Sequence, residues 1–365
     1  MFAALPTQAH ARLVRHRMLF LKEIPMGLVN FLLRRLLAAI PTVGALVVAT
    51  FVIMRVLPGD PAIFFASSPV PTAEETAYVR QKLGLDRSVP EQLLIYLKDI
   101  GSADLGMSFT TGRPVLTELR ERLPASLELA TVALILALTV SIPLGVAAAI
   151  WSGSLFDHAA RIISSIGVSM PTFVTGLILT YVFFLWLGLA PEPVDRIDMF
   201  ITAPPRITGF LLIDSTLSGD WAALQSAAGR LVLPSVTMAI FVLSPLTRMT
   251  RSAMLGVLSS DFVRTARAMG LSDRTVYVRY AFRNALLPVL TTMGIVFSTM
   301  LGSNVLVERV FGWPGIGSFA LNALVASDYA PVQGFVLLMG LLLIGINLAI
   351  DVAYGLADPR ARRAS

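Results

Sequence analysis

Residues 261–270, Asp-Phe-Val-Arg-Thr-Ala-Arg-Ala-Met-Gly, set Arg264 and Arg267 beside one another on a helical face. Phe262, Val263, Ala266, Met269 and Gly270 share another face. Such a segment makes and breaks no bonds; its chemistry is recognition. It forms a short amphipathic peg, about 12 Å long at ~1.5 Å per residue, whose small apolar residues suit a groove on another protein. A loop held near anionic lipid by its arginines fits the same pattern. Ser260 or Asp261 serves as N-cap, and Gly270 takes the left-handed conformation that ends the helix. Ser272 or Asp273 then starts a second helix.

Groups that could do covalent chemistry do not assemble. There is no His-Glu-x-x-His zinc helix, no Gly-x-Ser-x-Gly elbow and no pair of carboxylates deep within an apolar run. The chain has no cysteine, which excludes disulfides, thiol chemistry and thiolate metal sites. His10, His16 and His158 lie outside the apolar runs with no ligand spacing. None of the three lysines, Lys22, Lys82 and Lys98, follows a glycine, so the chain has no P-loop. The glycine-rich stretch 307–317 lacks the strand-to-helix context of a phosphate cradle. Arg55, Glu128 and Asp351 stand toward the ends of apolar runs, where snorkelling or loop contacts explain them better than a proton relay. No cofactor is expected in this chain. If it is part of a pump, a separate ATPase must push on its inner face, and the 261–270 peg has the shape to receive that push. The alternative is a self-sufficient secondary carrier or channel, which would require an ion gradient and a buried essential acid.

The elements that position the peg follow from composition. The chain is 55% hydrophobic and 14% charged, against roughly 25% charged in a soluble domain. Runs 36–54, 129–156, 162–191, 231–247, 284–307 and 329–350 contain no Asp, Glu, Lys or Arg. Each approaches or exceeds the ~20 residues that cross a ~30 Å hydrocarbon core. The expectation is an all-α integral membrane protein with six spanning helices and a small external cap. Spans are placed at 30–56, 126–151, 162–189, 230–250, 285–307 and 331–354. Between them lie a cap loop at 57–125, a second outer loop at 190–229, the inner loop at 251–284 and a third outer loop at 308–330. A basic extension, 1–29, precedes the first span, either as an amphipathic surface helix or as a tail, and 355–365 follows the last. Pro143 and Pro171 interrupt the second and third spans.

Charge sets the orientation. With a cytoplasmic start, inside segments hold 17 of the 29 Lys+Arg and six of the 23 acids. By the positive-inside rule both termini are then cytoplasmic. The net charge of +6 is a membrane-topology signal, and no nucleic-acid partner is expected.

Ten landmarks in order carry a resemblance: 57–62 (Leu-Pro-Gly-Asp-Pro-Ala), 104–108 (Asp-Leu-Gly-Met-Ser), 124–129 (Pro-Ala-Ser-Leu-Glu-Leu), 169–173 (Ser-Met-Pro-Thr-Phe), 264–270, 283–288 (Arg-Asn-Ala-Leu-Leu-Pro), 307–311 (Val-Glu-Arg-Val-Phe), 314–317 (Pro-Gly-Ile-Gly), 328–330 (Asp-Tyr-Ala) and 358–360 (Asp-Pro-Arg). Over about 30–360 the chain resembles the first of the two inner-membrane permeases of ABC importers for dipeptides, oligopeptides and nickel. The resemblance implies a type I importer permease in the bacterial inner membrane, with Arg264, Thr265, Ala266, Arg267, Ala268, Met269, Gly270 and Leu271 in the ATPase-coupling segment. Ala266 and Gly270 match the family's Glu-Ala-Ala…Gly signature, whereas Arg264 and Thr265 replace the Glu and the first Ala. A proline expected thirteen residues after the glycine is Arg283 here, with Pro288 further on. The implied partners are a second similar permease, two ATPase subunits or domains that bind ATP and Mg, an external solute-binding protein and membrane lipid. The 1–29 extension has no inherited role.

Overall fold

The structure is a computed structural model that describes residues 26–56, 72–82, 84 and 86–357. The turn at 57–62, most of the basic extension and the 358–360 landmark lie outside the described residues. Among those described, the all-α expectation holds: the single β contact is an isolated bridge between Met107 and Pro114.

The helices are α1 (Met26–Val56), α2 (Ala73–Lys82), α3 (Val89–Gly101), α4 (Val115–Ile150), α5 (Leu155–Ser169), α6 (Thr172–Thr180), α7 (Leu211–Ser218), α8 (Trp221–Leu258), α9 (Asp261–Ala268), α10 (Arg283–Val310), α11 (Ile316–Val325) and α12 (Tyr329–Ala357). Two π-helical turns extend them, Tyr181–Trp186 after α6 and Thr275–Phe282 before α10.

Stretches within α4, α8, α10 with its π turn, and α12 are long and apolar enough to cross a membrane. The 162–189 run is not one straight helix: α5 and α6 meet at 98°. Pro171 has no N–H to donate and disfavours the helical region for the residue before it, so Met170 sits at φ −113°, ψ 143°. So sharp a bend makes the pair either one broken span or a re-entrant loop. In α1 the apolar stretch Leu36–Val52 covers about 26 Å at ~1.5 Å per residue. By length and apolarity the described residues therefore hold four spanning helices, or five if the α5–α6 pair is one span, against the six expected.

Helix α8 is the hub, packed on α4, α10, α5, α6 and α7. Its contact with α4 follows from a small-residue stripe: Ala125, Leu129, Ala133, Ala137, Ser141, Gly145 and Ala149 recur every fourth position, and all are buried. A Cβ at Gly145 would lie 2.6 Å from the Thr250 Cβ, so only glycine lets the two backbones approach this closely. The main core joins this stripe to Leu231, Met238, Val242 and Leu246 of α8, to Met300 and Val307 of α10, and to Phe311 and Trp313. Outside the bundle, α3 buries none of its residues and touches α1 through the Phe51–Tyr96 ring pair at 5.6 Å.

Candidate functional site

Helix α9 is built as its residues dictate. Ser260 holds the extended N-cap conformation, φ −77° and ψ 153°, and its carbonyl accepts from the Arg264 amide at 3.1 Å. Its hydroxyl turns back to the Val257 carbonyl instead of capping. At the other end Gly270 takes φ +76°, the left-handed region that a side chain would strain. The Leu271 amide closes back on the Ala266 carbonyl at 3.3 Å. The next helical segment opens at Ser272, whose hydroxyl pairs with that of Thr275 at 2.9 Å.

The apolar face of the peg needs correcting. Val263 and Ala266, expected to enter a partner's groove, are buried in a small cluster of their own chain with Val276, Val257, Leu258, Leu271 and Tyr277. The physical reason is proximity: α9 folds between the end of α8 and the π turn, whose valines are the nearest apolar surface. What faces outward is Phe262 at 45% and Met269 at 66% exposure, with Arg264, Thr265, Arg267, Ala268 and Gly270 exposed and Leu271 half-buried. Arg264 stands 3.4 Å from Asp261, both almost fully in solvent. Arg267 lies 5.9 Å from the Tyr277 ring centre. Among the described residues, Arg248, Arg267, Arg274, Arg279 and Arg283 have no carboxylate partner, and all five are exposed. One guanidinium at this end is firmly held. Arg251 donates to both oxygens of buried Asp157, at 2.6 and 2.7 Å, and so ties α8 to α5.

The opposite end of α10, about 42 Å away along 28 residues, carries a network the sequence reading did not assign. Glu308 is fully buried. It accepts from the Ser126 hydroxyl of α4 at 2.5 Å, the Asn304 amide at 2.8 Å and the Ser318 backbone at 2.8 Å. Ser126 in turn accepts from the Ile316 amide, and the Trp313 indole donates to the Ala125 carbonyl, each at 2.9 Å. Gly315 makes room: a Cβ there would fall 2.2 Å from a Glu308 oxygen. Gly315 and Gly317 thus serve close packing around a carboxylate, while Gly312 packs against the backbone of 193–195. The sequence signal was an acid beside a glycine-rich loop, but nothing pointed to Ser126, 182 residues earlier.

Neighbouring carboxylates are treated alike. Glu128 accepts from Arg196 at 2.5 Å and from the Leu212 amide at 2.8 Å, which is the loop contact its span-end position indicated. Glu118 is met by Arg113 and Arg122. Buried Asp328 accepts from both the hydroxyl and the amide of Thr110 and from Ser108. In the first turn of α7, burial pushes the Asp214 carboxyl up. The Thr208 hydroxyl and the Thr208 and Gly209 amides outweigh that and leave it below the usual carboxylate range. Among the described residues no group of His, Asp or Glu could hold a metal ion.

Among the described residues the arrangement sets hydrogen-bonded buried carboxylates at one end and exposed arginines around a short helix at the other. Residues 141–363 match the family model described as binding-protein-dependent transport system inner membrane component. Residues 28–130 match the N-terminal model of the same systems. The chain is 41% identical over 335 residues to the di/tripeptide transport system permease protein DppB of Pseudomonas aeruginosa (strain UCBPP-PA14), covering 92% of this chain and 99% of that one. It is 39% identical over 336 residues to the dipeptide transport system permease protein DppB of Escherichia coli (strain K12), with the same coverage. Among solved structures, an inward-facing MetNI methionine ABC transporter matches at TM-score 0.48 and 15% identity, over 64% of this chain and 93% of that one. On the model matches and the near full-length identity, this chain belongs to the multi-pass inner-membrane permeases of binding-protein-dependent ABC importers.

Proposed function

We propose that this permease takes its driving force from a separate ATPase through residues 264–271, and that its cargo is a short peptide. The observation that carries the coupling role is the contrast within α9. Val263 and Ala266 are buried against the end of α8 and the π turn, while Phe262, Arg264, Arg267 and Met269 are exposed on the outer side. A lever needs both a fixed root and a free contact face. The exposed mix of an aromatic, a methionine and two arginines has the composition enriched at protein interfaces.

In this reading both termini and the 251–284 loop are cytosolic, and the ends of α4 and α10 at Ser126 and Glu308 face the external compartment. Two ATPase subunits bind ATP and Mg beneath the pegs. Their closure moves α9, and the anchored α8 and α10 carry the movement into the spanning bundle. The switch from inward- to outward-facing is a population shift driven by differential nucleotide binding. A second, similar permease completes the pathway, and an external solute-binding protein delivers cargo to the 57–125 and 190–229 loops. Peptide as cargo rests on the relatives' names and their near full-length match to this chain.

The test is an Arg264→Glu/Arg267→Glu double variant in the assembled transporter. The expected outcome is normal insertion and pairing with the second permease, weakened ATPase association, and dipeptide uptake reduced at least about tenfold, a loss of ~1.4 kcal/mol in coupling. Full uptake by the double variant would refute the docking role.

A further inference from the structure

We propose that a groove along α5, lined by His158, Arg161, Ser165 and Ser169, is part of the solute path, and that Arg161 meets the carboxylate of the passing solute. This deepens the reading above and rests on it for the chain's share in a translocation pathway. The groove has a volume of about 440 Å³, and Ile162 completes its lining. Its polar residues recur at steps of three and four, so they form one stripe about 16 Å long on a helix. All of them are exposed.

The opposite side of α5 is committed to the bundle. Asp157, Ala160 and Ser164 are buried there, and a Cβ on Gly167 would meet the Ile240 carbonyl oxygen at 2.5 Å. The stripe therefore faces away from this chain's own helices. Both serines donate inward along the helix, Ser165 to the Arg161 carbonyl at 2.7 Å and Ser169 to the Ser165 carbonyl at 3.0 Å. That leaves their oxygen lone pairs as acceptors for polar groups passing the groove. A water-filled passage between two permeases would solvate the exposed Arg161 and His158 and the free serine lone pairs together.

Charge bookkeeping at the foot of the groove singles out Arg161. Asp157 is held mainly by other donors: Arg251 takes both its oxygens, and the Gly153 amide donates at 3.0 Å. Arg161 stands 3.5 Å from the same carboxylate, with its side chain 45% exposed. Two guanidiniums thus share one acid, and the surplus positive charge belongs to the one that lines the groove. A planar guanidinium recognises carboxylate in two-point geometry, and a peptide carries that group at its C-terminus.

The absence of cysteine from the chain allows a direct test. Ser165→Cys and Ile163→Cys are each introduced into the full assembled transporter and labelled with anionic and cationic water-soluble methanethiosulfonates. Ile163 is 64% exposed and lies on the far side of the stripe. The expected result is labelling at position 165 and none at 163, with the anionic reagent favoured about fivefold. That preference disappears when Arg161→Gln is added. Position 165 remaining as unreactive as 163, or a charge preference unchanged by Arg161→Gln, would overturn the proposal. If Arg161→Gln does not assemble, labelling of 165 against 163 decides alone. In uptake assays Arg161→Gln slows dipeptide entry several-fold while ATP hydrolysis stimulated by the binding protein persists, and Arg161→Lys recovers part of the rate. Failure of the wild-type assembly to take up any dipeptide would instead refute the peptide reading, and the labelling result would still stand on its own.

Discussion

Around Glu308, the buried carboxylates Glu118, Glu128, Asp214, Glu308 and Asp328 are each met by hydrogen-bond donors of this chain. Around Gly270, arginines stand in solvent, and Arg264 has one contact, 3.4 Å from an exposed acid. The difference follows from what water does for each end. A buried carboxylate without partners costs several kcal/mol, so the chain must supply every donor itself. An exposed arginine is solvated at no such cost, and its ion pairs are worth ~0–1 kcal/mol. The Glu308 end thus meets each of its carboxylates from within one chain, though Asp328 Oδ1 and Asn304 Oδ1 stay without a partner among the described residues, whereas the Gly270 end leaves its arginines in solvent. Asp157 and Arg251 are the exception at the open end, a buried pair that fixes the root of the lever to α5.

The comparison can be broken most forcefully at Glu308. Glu308→Ala leaves the Ser126 hydroxyl, the Asn304 amide and the Ser318 amide without their acceptor, and should destabilise the permease by roughly 3–5 kcal/mol. Thermal unfolding in detergent reads this as a large drop in midpoint. A midpoint within error of wild type would mean the network is not what closes that end. Gly315→Ala should fall close behind, because its Cβ has nowhere to go but into the Glu308 carboxylate.

Arg251→Ala comes next, at roughly 2–3 kcal/mol. It strips buried Asp157 of its two-point partner and leaves the long Arg161 contact and the Gly153 amide. An Arg251→Ala/Asp157→Asn double variant should recover part of the loss, which a thermal-shift double-mutant cycle would register.

At the exposed arginines the same assay should show almost nothing. Arg264→Glu/Arg267→Glu is expected to shift folding stability by less than ~0.5 kcal/mol, since neither guanidinium holds the fold together. A large stability loss would show that these arginines are structural and would erase the contrast between the two ends.

The smallest effect is in pH. Asp214 has a folded pKa below its ordinary value, so its contribution is present above ~4 and is lost as pH falls through the folded value. Unfolding midpoints should therefore decline on acidification from about pH 5 to about pH 3, and Asp214→Asn should flatten that decline.

Much of this was legible in residues alone. Charge-free runs marked the apolar cores of α4, α8, α10 and α12, Gly270 marked the end of α9, and Pro171 marked the break between α5 and α6, because each acts locally through desolvation or backbone geometry. Two things were not legible. Helical spacing groups Val263 and Ala266 with Met269, but which of them meets the chain's own core depends on how α8 and the π turn fold around them. The partnership of Ser126 with Glu308 joins residues 182 positions apart, and no local pattern encodes it.

The central claim is that the outer face of α9 is where the driving force enters. Met269→Cys places a unique thiol there in a chain without cysteine, and cross-linking within the assembled transporter reads what it touches. The account expects cross-links to an ATPase subunit that change in yield between nucleotide-free and ATP-bound states. A thiol that cross-links to no ATPase, or that reacts with an impermeant reagent applied from the external side, would contradict it.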